Sequence, residues 1–496
     1  MRLHSFAAGI GLALALAGCA SSGGLHTRGT PTDPSTLATA QSLARLHAAE
    51  ATWPSEDWWT ALGDPQLGAL IAEALRDNPS LAVADARARA AQAEVGSANA
   101  ARGPSVNAGA AVSGARLPTT AVPPDVGGGH FVTAKYAYAS FNWGLDLWGG
   151  KKAAWQAAVG AAKAADIETR AARIQLSANV ARAYAQLGYA FAQKDVADAE
   201  FQRASEARKL TRQRVDAGVD STLQLKQGDA EVALAQRAQA VADRAVDAAR
   251  SALSVLLGKG PDRGLAIGRP AVLQPAAVAV PANLSADLIG HRPDLVAARW
   301  RVEAAQKDIA AAKTEFLPNL SIGALAGVLA TGGTNLFQLP ARFYQIGPTL
   351  SLPIYDGGRL RANLDRKDAA YDLAVAQYNQ TLVGAVNEVA DDLSGLDSLA
   401  TQVEAQQRAL DAASQAWELA SQRYHAGVGS YLEALSVRQQ LLQAEQGLAA
   451  LKAQQVDLSV QLLAALGGGY QPRNADAVPP AAPPADAPSS SPSDHS

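Results

Sequence analysis

Two long stretches without proline constrain this chain more than any other feature of its sequence. The chain has 496 residues and 25 prolines, yet none lies in 151–260 or in 359–470. Because proline breaks helix interiors, both stretches can be helical almost throughout. A helix from about 151 to 215 would be roughly 95 Å long at 1.5 Å per residue, which exceeds a normal globular domain. Helices of this length must bury themselves against one another.

The two stretches belong to an internal duplication. The segment that begins at Asn78 is similar in pattern to the segment that begins at Arg292. A small glycine turn also occurs twice, as "AGVDS" in 217–221 and as "AGVGS" in 426–430. Each half is therefore expected to follow one plan: helix, strand, loop, strand, very long helix, turn and long helix.

The helix after the second turn carries two apolar seams. One follows heptad spacing from Leu432, and the other, displaced by two residues, runs from Leu441. Two residues correspond to about 200° around a helix, so the seams lie nearly opposite each other. This pattern indicates a neighbour on each side and predicts a wall of helices. A remaining face carries Arg438 and is expected to face water; a large soluble bundle with broad apolar faces is the alternative.

Four segments between the helices alternate apolar and polar residues with period two. Each is about ten residues or longer, which is the length and pattern of transmembrane β-strands. Four strands cannot close a barrel in lipid, where an open sheet edge is not tolerated, so the barrel must be shared between copies. Two copies would give eight strands with a filled interior, and three would give twelve with room for a pore.

The N-terminus has the pattern of an export signal that ends at the only cysteine. Arg2 precedes an apolar run that is too short to span a membrane, and "LAGC" closes it. We therefore predict a lipoprotein signal at 1–18 and acylation of Cys19, with an ordinary signal peptide as the alternative. Ala20 is not the aspartate that retains such lipoproteins in the inner membrane. One acyl group is a marginal anchor, so a second membrane element is expected.

The same patterns set the predicted boundaries. The repeats are placed at 53–260 and 286–469, with a linker at 261–285. Residues 19–52 are expected to form a tether and 470–496 a disordered Pro/Ala/Ser-rich tail. The strands are predicted at about 104–114, 131–148, 318–330 and 341–355, and the long helices at about 151–217, 221–257, 359–426 and 430–466.

The chain resembles the TolC-like outer-membrane factors, and within them the efflux lipoproteins of the OprM/NodT type. The matching pieces are "LAGCA", "WWTALGDPQLGALIAEALRDNPSL", "RPDLVAAR", "LPIYDGGR" and both turns, over nearly the whole chain from Trp53 to Gly469. The resemblance implies a mixed, mostly α fold and a homotrimer in the Gram-negative outer membrane, with a 12-stranded β-barrel above a periplasmic tube of 12 helical strands. It also implies a periplasmic adaptor protein and an inner-membrane pump as partners, with drugs or other small toxic compounds as cargo.

The resemblance places adaptor docking at the two turns. Gly218 and Gly427 suit left-handed C-caps, and Ser221 and Ser430 suit N-caps of the following helices. The second cap, Ser430 with Glu433, is expected to be the stronger of the two. The predicted docking residues are Gly218, Val219, Ser221, Leu223, Gly427, Val428, Ser430 and Leu432.

A periplasmic gate is expected just past the second turn. Relatives often read "YLxLLDAQR" there, whereas this chain reads "YLEALSVRQ". Ser436 stands at the usual acidic position and Gln439 at the usual arginine, which puts a conventional closing ion pair in doubt. Hydrogen bonds from these two residues, apolar closure by Leu432, or a shifted role for Arg438 remain open, as does a plain role in the helix seam.

Nothing in the sequence points to an enzyme. The net charge of −3 favours no nucleic-acid partner, and the seven histidines are scattered. No nucleophile elbow or phosphate loop occurs, so we expect no catalytic residue, no metal and no cofactor beyond the lipid on Cys19. Two alternatives to drug efflux remain. One is a duct for type I secretion or metal efflux, and the other is a structural periplasmic coiled-coil lipoprotein that has no strands and no pore.

Overall fold

A computed structural model describes residues 23–37, 53–116, 118–126, 128–275, 288 and 290–476. Within these residues, eight helices and four strands carry the fold, and short 3₁₀ turns lie at Pro34–Thr36, Trp58–Leu62, Pro124–Val126, Leu339–Ala341 and Asn474–Asp476. In chain order the elements are α1 (Pro65–Asp77), α2 (Pro79–Ala100), β1 (Ser105–Arg116), β2 (Phe131–Gly144), α3 (Gly150–Asp216), α4 (Thr222–Leu256), α5 (Pro261–Leu265), α6 (Pro293–Thr314), β3 (Asn319–Thr331), β4 (Arg342–Ser351), α7 (Arg359–His425) and α8 (Tyr431–Ala465).

Two helical hairpins of matching length dominate the architecture. The first pairs α3, of 67 residues, with α4, of 35, and the second pairs α7, of 67, with α8, of 35. A 67-residue helix is about 100 Å long, as the proline-free stretches predict. Helix α3 packs against α2, α4, α6 and α8, and thereby joins the two hairpins.

Small side chains let these helices approach closely. At Gly160 of α3, a Cβ atom would lie 3.1 Å from the Cβ of Ala304 on α6, tighter than ordinary van der Waals contact. Larger residues fill the core where α1 meets α3, α4 and α8. Tyr184 is fully buried there, and its hydroxyl donates to the Asp64 carboxylate at 2.6 Å. Asp64 also accepts from the Gln66 N–H, so one carboxylate caps α1 and ties it to α3.

The four strands form one antiparallel sheet in the order β1-β2-β3-β4. Their lengths are 12, 14, 13 and 10 residues, which suits a tilted transmembrane strand. Among the described residues β1 and β4 are edge strands, each with one neighbour. These strands contradict the alternative of a strand-free coiled-coil lipoprotein.

The two faces of the sheet differ in polarity. The register pairs Ala108 with Ala139, Ala139 with Ala326 and Ala326 with Tyr344, so these residues share one face, called here the apolar face. It continues with Val106, Val112, Phe141, Trp143, Leu320, Ile322, Ala324, Val328, Ile346 and Leu350. The opposite face carries most of the Ser, Asn, Thr and Gln residues of the strands. This alternation is the one that the sequence predicts.

Two strands end earlier than expected, because an aspartate redirects the chain. Strand β2 stops at Gly144 and not near 148, since Asp146 accepts from the N–H groups of Lys151 and Lys152 at 2.9 and 2.8 Å. Strand β4 stops at Ser351 and not near 355. Asp356 accepts from the N–H of Leu360 at 2.8 Å. Both carboxylates satisfy free amides at the start of a 67-residue helix.

Residues 23–37, which lie within the predicted tether at 19–52, dock along α7. The N–H groups of Arg28 and Gly29 donate to Asp372 Oδ1 at 2.9 and 2.7 Å. The N–H of Thr32 donates to Asn379 Oδ1 at 2.7 Å. These contacts satisfy backbone groups with side chains from the far half of the sequence. Signal residues 1–18, Cys19 and residues 38–52 lie outside the described residues.

The expectation of disorder from 470 is wrong for residues 470–476. Asp476 is buried and accepts two hydrogen bonds from the Arg170 guanidinium, at 2.8 and 2.9 Å. The Trp300 indole N–H donates to the Asp476 carbonyl at 2.9 Å. Burial raises the pKa of Asp476, but the hydrogen bonds from Arg170 and from the Arg473 N–H, together with the charge of Arg170, outweigh burial and hold this pKa below its usual value. Residues 477–496 lie outside the described residues.

This buried pair yields a stability prediction. Asp476→Ala leaves Arg170 in a largely buried position without its carboxylate, a change that typically costs about 3–5 kcal/mol. We expect a clear loss of thermal stability, measured by calorimetry or circular dichroism. Asp166→Ala is the matched control, since Asp166 contacts the same guanidinium at 3.3 Å from an exposed position. Equal melting temperatures for both variants and the parent would contradict the role assigned to this segment.

The predicted linker at 261–285 is partly structured. It begins with α5, and Arg263 there donates to both carboxylate oxygens of Glu73, at 3.1 and 2.8 Å. Ile267 is buried in the core beside α1. Residues 276–285 lie outside the described part of the chain. Where the structure is described, no helix is both long and apolar enough to cross a membrane.

A second prediction concerns Asp392 of α7. Burial, and next the charges of Glu388 and Asp391, raise the pKa of Asp392 to about 6. Its ionised form therefore costs folding free energy above pH 6, and this cost vanishes as the pH falls below the unfolded pKa of about 4. Asp392→Asn should stabilise the protein by about 1–3 kcal/mol at about pH 8 and by little at about pH 4. Thermal melts at both pH values measure this, with the exposed Asp397→Asn as control. A pH-independent difference would contradict it.

Candidate functional site: the helical turns and the link between the hairpins

The two turns have the same backbone geometry. Gly218 and Gly427 take left-handed conformations, with φ of 75° and 77°. In each turn the glycine and the following valine donate back to the helix that is ending. Val219 N–H donates to the Arg214 carbonyl at 2.8 Å, and Val428 N–H to the Arg423 carbonyl at 3.0 Å. This is the Schellman ending, which favours glycine because a Cβ is strained there.

The N-caps that follow the turns differ, and not in the expected direction. At the first turn, the Ser221 N–H donates to the Gln224 side chain at 2.7 Å, and the capping box is complete. At the second turn, the Ser430 hydroxyl accepts from the Glu433 N–H at 3.1 Å, which is one half of the box. The first turn therefore has the more complete cap. The Glu433 carboxylate adds favourable charge at the start of α8.

Each turn presents two apolar side chains to the outside. Val219 and Leu223 are 65% and 67% exposed, and Val428 and Leu432 are 70% and 61% exposed. The other predicted docking residues are the glycines and caps that hold these side chains in place. Exposed apolar side chains at the end of a structure are a common feature of protein interaction surfaces.

Contacts between the turns show that they lie side by side. The Tyr424 hydroxyl, just before the second turn, donates to Asp220 of the first turn at 3.3 Å. Arg214 donates to both oxygens of the same carboxylate, at 2.9 and 3.3 Å, and its guanidinium lies 5.3 Å from the centre of the Tyr424 ring. Both hairpins therefore end at one place, as the duplicated sequence predicts.

The four gate candidates separate into two groups. Leu432, Ser436 and Gln439 are all exposed on one face of α8. Arg438 points the other way and is only 4% exposed. Leu432, Ser436 and Gln439 therefore share one surface, and Arg438 is not part of it.

Arg438 links the second hairpin to the first. Its Nε donates to Glu200 of α3 at 2.8 Å, and its Nη2 lies 2.6 Å from the same carboxylate oxygen. Glu445 lies 3.6 Å from Nη2. The guanidinium carbon stands 5.8 Å from the centre of the Trp417 ring, within cation–π range. A buried ion pair of this kind resists separation of its two partners, because each would remain as an uncompensated charge.

A cavity of about 280 Å³ opens beside this ion pair, between the two hairpins. Carboxylates crowd its wall: burial raises the pKa of Glu200 and, together with the charge of Glu200, that of Glu231. Burial also raises the pKa of the neighbouring Glu445. Arg203 opposes this shift at both Glu200 and Glu445. Arg203 therefore compensates only part of the negative charge that these carboxylates place between the hairpins.

Sequence reasoning missed Glu200, Arg203 and Trp417, and it assigned Arg438 to a water-facing side. That assignment is wrong, because this face of α8 packs against α3. Ser459, further along the same face, is also fully buried. The pattern of one helix shows which faces are apolar but not which polar face a third helix covers. The available signal for a buried ion pair was the placement of Arg438 and Glu445 one heptad apart on that face.

The described residues offer no obvious metal site. Among them, no group of three His, Cys, Asp or Glu side chains is arranged to hold a metal ion.

Comparison with known proteins identifies the family. The model of the outer membrane efflux protein family matches residues 70–259 and 284–468. The multidrug resistance outer membrane protein MdtP of Escherichia coli is 31% identical over 434 residues, which cover 86% of this chain and 89% of that protein. The toluene efflux pump outer membrane protein TtgF of Pseudomonas putida is 31% identical over 466 residues, or 93% of this chain and 96% of that protein.

Solved structures share the fold as well. The outer membrane protein VceC of Vibrio cholerae has a TM-score of 0.77 and 32% identity, and the match covers 84% of this chain and all of that one. The outer-membrane channel OprN has a TM-score of 0.79 and 26% identity, over 92% of this chain and all of that one. Two long helical hairpins joined to a four-stranded sheet are therefore the fold that this chain shares with outer-membrane channel proteins. The chain belongs to the outer membrane efflux protein family, which confirms the resemblance to TolC-like proteins.

Proposed function

We propose that the protein is the outer-membrane duct of a tripartite efflux system. It carries drugs or other small toxic compounds passively to the exterior, from an inner-membrane pump and a periplasmic adaptor. MdtP and TtgF, the relatives named for multidrug resistance and toluene efflux, support this class of cargo. No catalytic step is involved, because transport through the duct follows the gradient that the pump creates.

The two free edges of the sheet carry this proposal. Strands β1 and β4 are of membrane-spanning length, and within the described part of the chain each has a strand partner on one side only. Lipid does not satisfy open backbone groups, so β4 of one protomer is expected to pair with β1 of the next. Three protomers give twelve strands, which leave room for a pore, whereas two give eight and a filled interior.

The second hairpin supports the same assembly. In the seam of α8 that begins at Leu432, Leu432, Gln439 and Gln446 are exposed in one protomer. In the second seam of α8, Leu441, Ala444 and Leu448 are buried within the chain. A face with heptad spacing that is exposed at Leu432, Gln439 and Gln446 fits a helix of the adjacent protomer. Closure of this face around a three-fold axis makes the helical tube.

The turns are the proposed docking sites for the adaptor. Val219, Leu223, Val428 and Leu432 offer apolar contact at the far end of the tube, and three protomers would present six such turns. The equal geometry of the two turns lets one adaptor surface bind either of them.

The gate is proposed to combine two elements. Leu432, Ser436 and Gln439 line the exposed face of α8, where apolar contact and hydrogen bonds between protomers narrow the tube. Arg438 acts from behind, because its ion pair with Glu200 holds the second hairpin against the first. This arrangement replaces the acidic–basic pair that relatives carry at the positions of Ser436 and Gln439.

Cys19 is the proposed site of lipid attachment. Acylation there would add an anchor in the outer membrane, and docking of residues 23–37 along α7 supports this path for the chain that follows. The sheet supplies the second membrane element that a single acyl group requires.

Deletion and complementation test the proposed function. Cells that lack the gene are expected to accumulate a fluorescent drug such as ethidium, and the intact gene is expected to restore its export. The purified protein should also bind a periplasmic adaptor encoded beside it. Normal export in the deletion strain, with no other duct of this family present, would contradict the proposal.

A further inference from the structure

The strands of the sheet contain three charged residues, and all three are basic. They are Arg116 of β1, Lys135 of β2 and Arg342 of β4, and no strand contains an aspartate or a glutamate. We call these three residues the basic rim. Within the described part of the chain, none of their side chains has a hydrogen bond or ion-pair partner in the protein.

The register places the whole basic rim on the apolar face. Lys135 lies between Val112 and Ala330 in the cross-strand row. Arg342 is paired with Val328, and Arg116 with Phe131. Along each strand, these partners are separated from Ala108, Ala139 or Ala326 by an even number of residues, so they lie on the apolar face. The basic side chains thus share the surface that the proposed barrel turns toward lipid.

The basic rim also lies at one end of the sheet. Arg116 ends β1, Arg342 begins β4, and Lys135 is the fifth residue of β2, so all three lie toward the strand-connecting loops. The long helices join the opposite end, where α3 follows β2 and α7 follows β4. If the helices are periplasmic, the basic rim is in the outer half of the membrane.

Cations on a lipid-facing surface need an anionic partner. Lysine and arginine are strongly unfavourable at the centre of a bilayer but are tolerated near the interface, where headgroups are in reach. Guanidinium and ammonium groups bind phosphate with charge-assisted hydrogen bonds. Two exposed aromatic residues of the same face, Phe131 and Tyr344, can pack beside a bound lipid.

We propose that the basic rim binds the phosphate groups of the glycolipid in the outer leaflet, lipopolysaccharide. The proposal rests on the proposed function, since it requires the apolar face to meet lipid and the loops to face outward. Charge complementarity selects a phosphorylated headgroup, and the position at the loop end selects the outer leaflet. Three protomers would carry three such sites around the barrel.

Native mass spectrometry of the purified full-length protein tests this site. The probes are lipid A with both phosphates, the same lipid after dephosphorylation, and phosphatidylglycerol. The test variant is Arg116→Gln/Lys135→Gln/Arg342→Gln. The control is Arg87→Gln/Arg89→Gln/Lys209→Gln, which removes the same charge from exposed helical positions.

Wild type and control are expected to retain diphosphorylated lipid A, and the test variant to bind it roughly 10- to 100-fold more weakly. Dephosphorylation should weaken binding to the wild type by a similar factor, and phosphatidylglycerol should bind more weakly than lipid A. Equal binding of lipid A by test variant and control, or of the two lipid A forms by wild type, would overturn the site. Stronger binding of phosphatidylglycerol would overturn its assignment to the outer leaflet.

Failure of this site is distinguishable from failure of the proposed function. The conductance of the wild type in a bilayer of phospholipid alone reports the channel and does not require the glycolipid. A conducting wild type with no phosphate-dependent binding overturns only the basic rim.

Discussion

Arg438→Met is expected to leave the channel partly open at rest. Methionine has a side chain similar in length to the aliphatic stem of arginine, but it lacks the guanidinium. The substitution therefore removes the ion pair that joins α8 to Glu200 of α3. A loss of about 1.4 kcal/mol in preference for the closed state is enough for a tenfold change in the open fraction. Removal of one partner of a buried ion pair commonly costs more than that. We therefore expect resting conductance to rise about tenfold or more, measured on single channels in planar bilayers.

A double variant separates gating from simple damage. Arg438→Met/Glu200→Gln removes both charges of the pair and leaves Arg203 and Glu445, 3.9 Å apart, to compensate each other. Thermal stability should therefore recover relative to Arg438→Met, while the channel stays open because the link is still missing. The control is Lys226→Met, whose ion pair with Asp229 is exposed and lies within one helix. Wild-type conductance in both Arg438 variants would show that this link does not hold the hairpins closed.

Polar substitution of the turns is expected to abolish efflux without unfolding the protein. Val219→Ser/Leu223→Ser changes the first turn and Val428→Ser/Leu432→Ser the second, and all four side chains are at least 61% exposed. Surface substitutions usually change stability by no more than about 0.5 kcal/mol, so the melting temperature should stay near that of the parent. Combined in one chain, the four changes should reduce drug resistance to the level of the deletion strain.

The control for the turns is a pair of exposed apolar residues in the linker. Leu265→Ser/Val272→Ser has the same chemistry at positions that are 66% and 85% exposed. Binding of the adaptor to the purified proteins is the direct measurement, and drug susceptibility is the cellular one. Full adaptor binding by the four-residue variant would place docking elsewhere on the molecule.

Much of the fold follows from local chemistry in the sequence. Helices α3 and α7 have the predicted extent because proline is absent from their interiors and because Gly218 and Gly427 end them. The strands were predictable from strict alternation, and the two strand pairs from the polar, glycine-rich loops that join them. The early ends of β2 and β4 were less obvious, although each half has an aspartate shortly before its pair of glycines: Asp146 lies three residues before Gly149, and Asp356 lies directly before Gly357.

The missed features depend on partners that are distant in sequence. Residues 23–37 lack an apolar pattern of their own and are ordered by Asp372 and Asn379, which belong to the second half of the chain. Asp476 lies in a polar segment that composition assigns to disorder, yet Arg170 and Trp300 bind it. The burial of Arg438 depends on α3, which the heptad pattern of α8 does not reveal.

The conductance of the purified protein in a planar lipid bilayer tests the central claim most directly. A protomer with four strands and two long hairpins conducts only if copies close into a common barrel and tube. We predict single-channel steps from a particle whose mass corresponds to three chains, larger in Arg438→Met than in wild type. A folded protein with the expected helix and strand content that stays monomeric, or that inserts without conductance, would contradict the account.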